Sequence, residues 1–131
     1  MLSSVLCLAT VIFFEARSES VVAQEAVASV VLNRVEDPRY PNTVCGVVFE
    51  PTQLSFTHDG LSDNMFDHED QPERVAILDS LKLAVTMLET GPLLTSTHYH
   101  TTVVSPSWGD IYDLDGLVGN HLFYTNSTPY R

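Results

Sequence analysis

Leu2-Ser3-Ser4-Val5-Leu6-Cys7-Leu8-Ala9-Thr10-Val11-Ile12-Phe13-Phe14-Glu15-Ala16-Arg17 is the stretch on which the fold turns. It can be read as a cleavable leader or as a helix buried in a core. A leader needs a basic segment ahead of its apolar run and small residues at a cleavage point, and neither stands before Glu15. Roughly ten apolar positions also fall short of the ~20 that a membrane-spanning helix requires. The stretch therefore reads as a mostly buried first helix, with no signal peptide and no stable membrane insertion.

Working outward, Ser18-Glu19-Ser20 breaks that helix, and Ser20 suits the N-cap of the next. From Val21 to Glu36, Ala23, Val27, Val30, Val31 and Val35 keep to one helix face, leaving Gln24, Glu25 and Asn33 for the surface. The turn from Asp37 to Asn42, with Pro38 and Pro41, stops it. Thr43 to Phe49 reads as one or two helical turns in preference to a strand. Residues 51–71 read as a long loop, with Asp59-Gly60 as a turn; a connection of that length in a small domain is usually functional or mobile. A further helix follows, with Pro72 and Glu73 in its first turn and Gly91-Pro92 as its stop. Val75, Leu78, Leu81, Val85 and Leu88 mark its expected core stripe. Short extended pieces come late, Thr97 to Thr102 and His121 to Thr125, around a loop holding Trp108 and Asp113-Leu114-Asp115-Gly116. Helices first and a small β element last predict an α+β, mostly α, single domain over residues 1–131.

The totals agree with that reading. A chain of 131 residues has room for one core, and 44% hydrophobic residues exclude disorder. Seventeen carboxylates against one lysine and five arginines give a formal charge of −11. With no basic run to displace counterions from phosphates, nucleic acid is excluded as a partner. Cys7 and Cys45 make no disulfide framework and no CxxC pair, so both read as buried thiols.

Glu15 stands out chemically. After Phe13-Phe14 at the end of an apolar helix, desolvation would raise its pKa and keep a proton ready for a leaving oxygen. An ion pair with Arg17 would act the other way, and the plainer alternative is a solvated or paired carboxylate. Thr97-His98-Tyr99-His100 is the second constellation. In a strand, His98 and His100 share a face. With His121 they could form a three-imidazole zinc site, or simply hydrogen-bond in a polar cleft. Tyr99, Trp108, Tyr112, Phe123 and Tyr124 cluster with these histidines, and such a mixture suits the flat faces and hydroxyl edges of sugars; for Phe123, ordinary core is preferred. Asp113 to Gly116 fails the calcium-loop pattern, because the first and twelfth positions would be Ile111 and Leu122.

An ordered series of blocks resembles the SleB/CwlJ-type cell wall hydrolase family, known from spore-cortex lysis and from phage lysins. The blocks are Phe14-Glu15-Ala16-Arg17-x-Glu19, Val30 to Val35, Pro41 to Val48, Gln53-Leu54-Ser55-Phe56 with Asp59-Gly60, Thr97 to His100, Pro106-x-Trp108, and Gly119-x-His121-x-Phe123-Tyr124. The resemblance implies a compact lysozyme-like fold. It also implies cleavage of peptidoglycan between N-acetylmuramic acid and N-acetylglucosamine, with Glu15 as catalytic acid and no second carboxylate, cofactor or metal. Arg17, Gln53, Ser55, His98, Tyr99, His100, Trp108, His121 and Tyr124 would bind substrate. The chain departs from the family pattern at Ser18, where glycine is usual, at Leu54, where phenylalanine is frequent, and at Thr52, where a cysteine is common. The competing expectation is a zinc amidase or peptidase using His98, His100 and His121. A monomer made in the cytoplasm and released to the wall, as phage lysins are, completes the reading.

Overall fold

The computed structural model describes residues 2–50, 64–68 and 73–126. Helix α1 (Leu2–Ala16) buries every residue from Leu8 to Phe13. An unbroken buried run in a helix means neighbours on all sides, and α2, α3 and α4 supply them. Leu8, Ile12 and Phe13 are wholly buried, each contributing about 1.5–3 kcal/mol by removal from water. Thr10 is tolerated there because its hydroxyl donates to the Leu6 carbonyl at 2.7 Å. The buried-helix reading of this stretch holds.

Ser20 caps α2 (Val21–Glu36), its hydroxyl accepting from the Ala23 N–H at 3.3 Å. The apolar face carries Ala23, Ala26, Val27, Val30 and Val31, and Arg34 continues it into the interior. Gln24 and Asn33, expected at the surface, are half-buried and tie segments together. The Asn33 amide donates to the carbonyls of Leu94 and Ser96 at 2.7 and 2.8 Å. Thr43 caps the short α3 (Val44–Val48) by accepting from the Gly46 N–H at 3.0 Å. A Cβ on Gly46 would lie 2.7 Å from that cap oxygen, so glycine is the residue that fits.

Two expectations are corrected in this helical layer. Cys7 and Cys45 are not thiols but a disulfide joining α1 to α3, with Cα atoms 5.2 Å apart. No spacing rule announces such a pair; packing α3 on α1 brings the two together. In α4 (Glu73–Thr90) the buried positions are Ile77, Ser80, Ala84 and Met87. Val75, Leu78 and Val85 of the expected stripe are 54%, 53% and 44% exposed, while Leu81 and Leu88 are half-buried. Apolar residues cover more than one face of α4. Small side chains at Ser80 and Ala84 let a neighbouring backbone come close, and that face meets α1. Gly91 ends the helix as expected, at φ +82° with its N–H on the Met87 carbonyl. Within the expected loop, Met65–His68 form a 3₁₀ turn that buries Met65.

The sheet has three antiparallel strands in the order β1 (His98–Thr101), β3 (His121–Thr125), β2 (Asp113–Val118). The sequence of strand β2 predicts a loop. Its Asp-rich sequence has low strand propensity, and pairing along β3 overrides it. Asp115 is the extra residue of a bulge between Leu114 and Gly116. Its carboxylate accepts from Ser96 and Thr125 at 2.5 and 2.7 Å, which is how this turn-like segment is held in the sheet.

Candidate active site

Glu15 lies in the last turn of α1, half-buried. The chain after it is held tightly. The Glu19 N–H donates to the Ala16 carbonyl at 3.0 Å, and the Gln24 amide donates to the carbonyls of Ala16 and Glu19 at 3.1 and 3.4 Å. The bonds to Ala16 satisfy a carbonyl that a helix end leaves open. Arg17 follows directly after the helix. Its guanidinium lies 4.5 Å from the Phe13 ring centroid and pairs with Glu73 of α4 at 2.7 Å. Arg17 and Glu73 line a hollow of about 410 Å³ with Ser18, Gln24 and Asp79.

The neighbour that the fold brings to Glu15 is Tyr99. Burial first, then the Glu15 charge, the largest electrostatic contribution that acts with burial, raise the phenol well above its usual range, and a side-chain hydrogen bond with Glu15 adds to this. By geometry the phenol oxygen is buried without a hydrogen-bond partner among the described residues.

Strand pairing sorts the remaining predicted residues onto two faces. Tyr99 opposes Phe123 and Thr101 opposes His121, so these four point to one side, toward the helices. His98 opposes Tyr124 and His100 opposes Leu122, so they point to the other. On that outer face Trp108 and Tyr112 close over the imidazoles, with His98–Tyr112, His98–Trp108 and His100–Trp108 centroids 4.6, 5.0 and 5.6 Å apart. Tyr124 stacks on His100 at 5.3 Å. The sequence reading places His98, Tyr99, His100, Trp108, His121 and Tyr124 in one cleft with Glu15. The structure brings together Tyr99 and Glu15, while His98, His100, Trp108 and Tyr124 form an aromatic cluster across the sheet. Gln53 and Ser55, and Asp59 with them, lie outside the described residues.

The three-imidazole reading is corrected by the same pairing. His121 is on the opposite face from His98 and His100, and its Nδ1 lies 2.9 Å from Glu19 Oε2. The ring nitrogens of His98 meet the Tyr40 and Thr97 hydroxyls at 3.2 and 3.0 Å. His100 donates from Nδ1 to the Thr101 carbonyl at 2.7 Å, which in the neutral ring leaves Nε2 to accept from the Tyr124 hydroxyl at 2.9 Å. The three rings do not converge on a common point.

Arg34 was missed as a functional candidate. Only 4% exposed, it donates from Nε to the Thr97 carbonyl at 2.7 Å and lies 5.0 Å from the Tyr40 centroid. Its place on the Val27-Val30-Val31 face was the available signal. Burial, then the charges of Arg34 and Arg39, lower His98 to about 4. A histidine unfavourable to protonate in the fold takes up its proton on unfolding between its ordinary pKa and 4. Its contribution is complete above about 6.5 and declines as pH falls toward 4. An NMR titration is expected to show His98 neutral down to about pH 4. Thermal melts across the same window are expected to fall less steeply for His98→Asn than for the parent chain.

These features define a small, mostly helical domain with a carboxyl at the end of its core helix, backed by a three-stranded sheet. The sequence matches the model of the family described as Cell Wall Hydrolase over residues 18–124, and the chain belongs to that family. It is 40% identical over 74 residues to the spore cortex-lytic enzyme of Halalkalibacterium halodurans, covering 56% of this chain and 22% of that protein. With the spore cortex-lytic enzyme of Bacillus subtilis it shares 38% identity over 74 residues, covering 56% and 23%. The matched region thus spans less than a quarter of either relative's length. Among solved structures it is similar to the catalytic domain of the germination-specific lytic transglycosylase SleB from Bacillus anthracis. The TM-score is 0.70 at 25% identity, over 95% of this chain and 96% of that one. The catalytic domain of the Bacillus cereus SleB protein is similar at TM-score 0.67 and 25% identity, over 95% and 91%.

Proposed function

We propose that this chain is a single catalytic domain that cuts peptidoglycan glycan strands at the bond from N-acetylmuramic acid to N-acetylglucosamine, by lytic transglycosylation, with Glu15 as general acid and base. One observation carries the reading: an acid at the end of the core helix, half-buried and set against a buried phenol. Half-burial and the negative end of the α1 dipole both disfavour a carboxylate there. Glu15 gives its proton to the bridging oxygen as the bond to the muramic C1 breaks. The resulting carboxylate takes the proton of the muramoyl 6-hydroxyl as O6 closes on C1. The products are an anhydro-muramic end and a free N-acetylglucosamine end, no water is consumed, and Glu15 regains its proton. The similarity to a lytic transglycosylase domain over nearly the whole chain supports this route.

The Cys7–Cys45 disulfide supports work in an oxidising place outside the reducing cytosol, as at a cell wall. No helix among the described residues is long and apolar enough to cross a membrane. Action as a monomer is part of the proposal. The phage-lysin expectation finds no support in the relatives above, which are spore cortex-lytic enzymes.

Mass spectrometry of wall digested by the chain tests the reaction. Anhydro-muramic ends, lighter by one water than reducing ends, are the expected product. Reducing muramic ends would replace transglycosylation with hydrolysis. New amino groups from stem peptides would overturn glycan cleavage altogether.

A further inference from the structure

We infer that Glu19 is a positioning residue for Glu15. Its carboxylate clasps the turn between β2 and β3 to the turn after α1, and so fixes the helix end that carries the acid. The inference rests on Glu15 being the catalytic acid proposed above. Helix ends fray, and misplacing a reacting group by about 1 Å can cost on the order of 10²-fold in rate. Glu15 stands one residue before the end of α1, so its place depends on what holds the chain beyond Ala16.

The backbone of Glu19 is bound to the helical layer. Its N–H donates to the Ala16 carbonyl at 3.0 Å, and the Gln24 amide bonds the Ala16 and Glu19 carbonyls at 3.1 and 3.4 Å. The Glu19 side chain supplies the link to the sheet. Oε1 accepts from the Asn120 N–H at 2.8 Å, a bond between residues 101 positions apart. An ionised acceptor makes such a bond roughly twice as strong as a neutral one. Asn120 is pinned from its other side as well, because its carbonyl accepts from the Thr102 N–H at 3.0 Å. Gly119 is shaped to this contact. It sits at φ +59°, and a Cβ there would fall 2.5 Å from Glu19 Oε1 and 3.1 Å from the Ala23 Cβ in the first turn of α2. His121 Nδ1 lies 2.9 Å from Oε2 but without hydrogen-bond geometry, so the Asn120 bond carries the clasp. Only 10% of the Glu19 side chain is exposed, which leaves it little surface to offer a glycan strand.

The test compares the full chain with Glu19→Ala, Glu19→Gln, Gly119→Ala, the Glu19→Ala/Gly119→Ala double variant and Glu15→Gln. It measures kcat and KM for glycan cleavage, with melting temperatures on the same preparations. Glu19→Ala is expected to lower kcat on the order of 10²-fold with KM unchanged, since a displaced acid slows proton transfer without touching the bound strand. Glu19→Gln keeps an acceptor oxygen for the Asn120 N–H and is expected to recover kcat to within about 5-fold of the parent. Gly119→Ala is expected to lower kcat in the parent but to add little to Glu19→Ala, because the oxygen its Cβ would strike is gone. Parent-like kcat in Glu19→Ala, measured well below its melting temperature, overturns the inference even if the melt has moved. Glu19→Gln as inactive as Glu19→Ala also overturns it, making the carboxylate itself a reactant. So does a raised KM with kcat kept, which would move Glu19 to substrate binding, and so does a Gly119→Ala loss equal in both backgrounds. Where Glu19→Ala fails to fold, Gly119→Ala decides: lowered kcat at constant KM supports the clasp and parent-like kcat overturns it. Activity retained in Glu15→Gln instead overturns the proposed function, and the inference falls with it.

Discussion

Glu15→Gln is expected to lower lysis of a wall suspension by on the order of 10²-fold or more, the scale of losing a general acid. The amide preserves the volume of the side chain, so packing at the end of α1 is retained. What it lacks is a proton that can leave and return. The melting temperature is expected to stay with the parent, because Glu15 lies beyond the wholly buried run of the helix. Turbidity loss and a thermal melt on the same preparation check both halves. An inactive variant that also fails to fold would say nothing about chemistry, so Glu15→Asp serves as a second probe. It keeps the acid but withdraws it by one methylene, and it is expected to retain a measurable fraction of activity because the proton can still transfer.

Removing the Cys7–Cys45 crosslink as the Cys7→Ser/Cys45→Ser double variant is expected to cost about 4 kcal/mol, the chain-entropy value for the 38-residue separation. Against a total stability of about 5–15 kcal/mol for a domain, that is a large fraction. The crosslink holds α3 to the helix that carries Glu15, and Val44, Val47 and Val48 of α3 join the same core. Urea unfolding of the double variant, and of the parent with and without a reductant, measures the effect. Coincident midpoints for all three would contradict it. Reduced parent is expected to match the double variant, since both lose the same constraint on the unfolded chain.

Much of this architecture is legible in the sequence. The first helix was readable because a dense apolar run without leader features has few alternatives. Ser20 and Thr43 marked helix starts and Gly91-Pro92 a stop, since capping and termination act within one turn of chain. His98 and His100 were rightly placed on one face, because alternation is built into a strand. Glu15 could be singled out because its setting after Phe13-Phe14 is local too.

The rest depended on which surfaces meet. Apolar residues surround α4, so its sequence permits several buried faces, and the close approach of α1 chose the one with Ser80 and Ala84. Asp113 to Val118 became a strand only because β3 offered it an edge. His121 parted from His98 and His100, and Arg34 and Tyr99 gained their meaning, through strand pairing and helix packing between distant segments. Cys7 found Cys45 in the same way. Periodicity, caps and turns come from interactions a few residues apart and are written along the chain. Partners across the core are set by how whole elements pack, a constraint no single stretch of sequence contains.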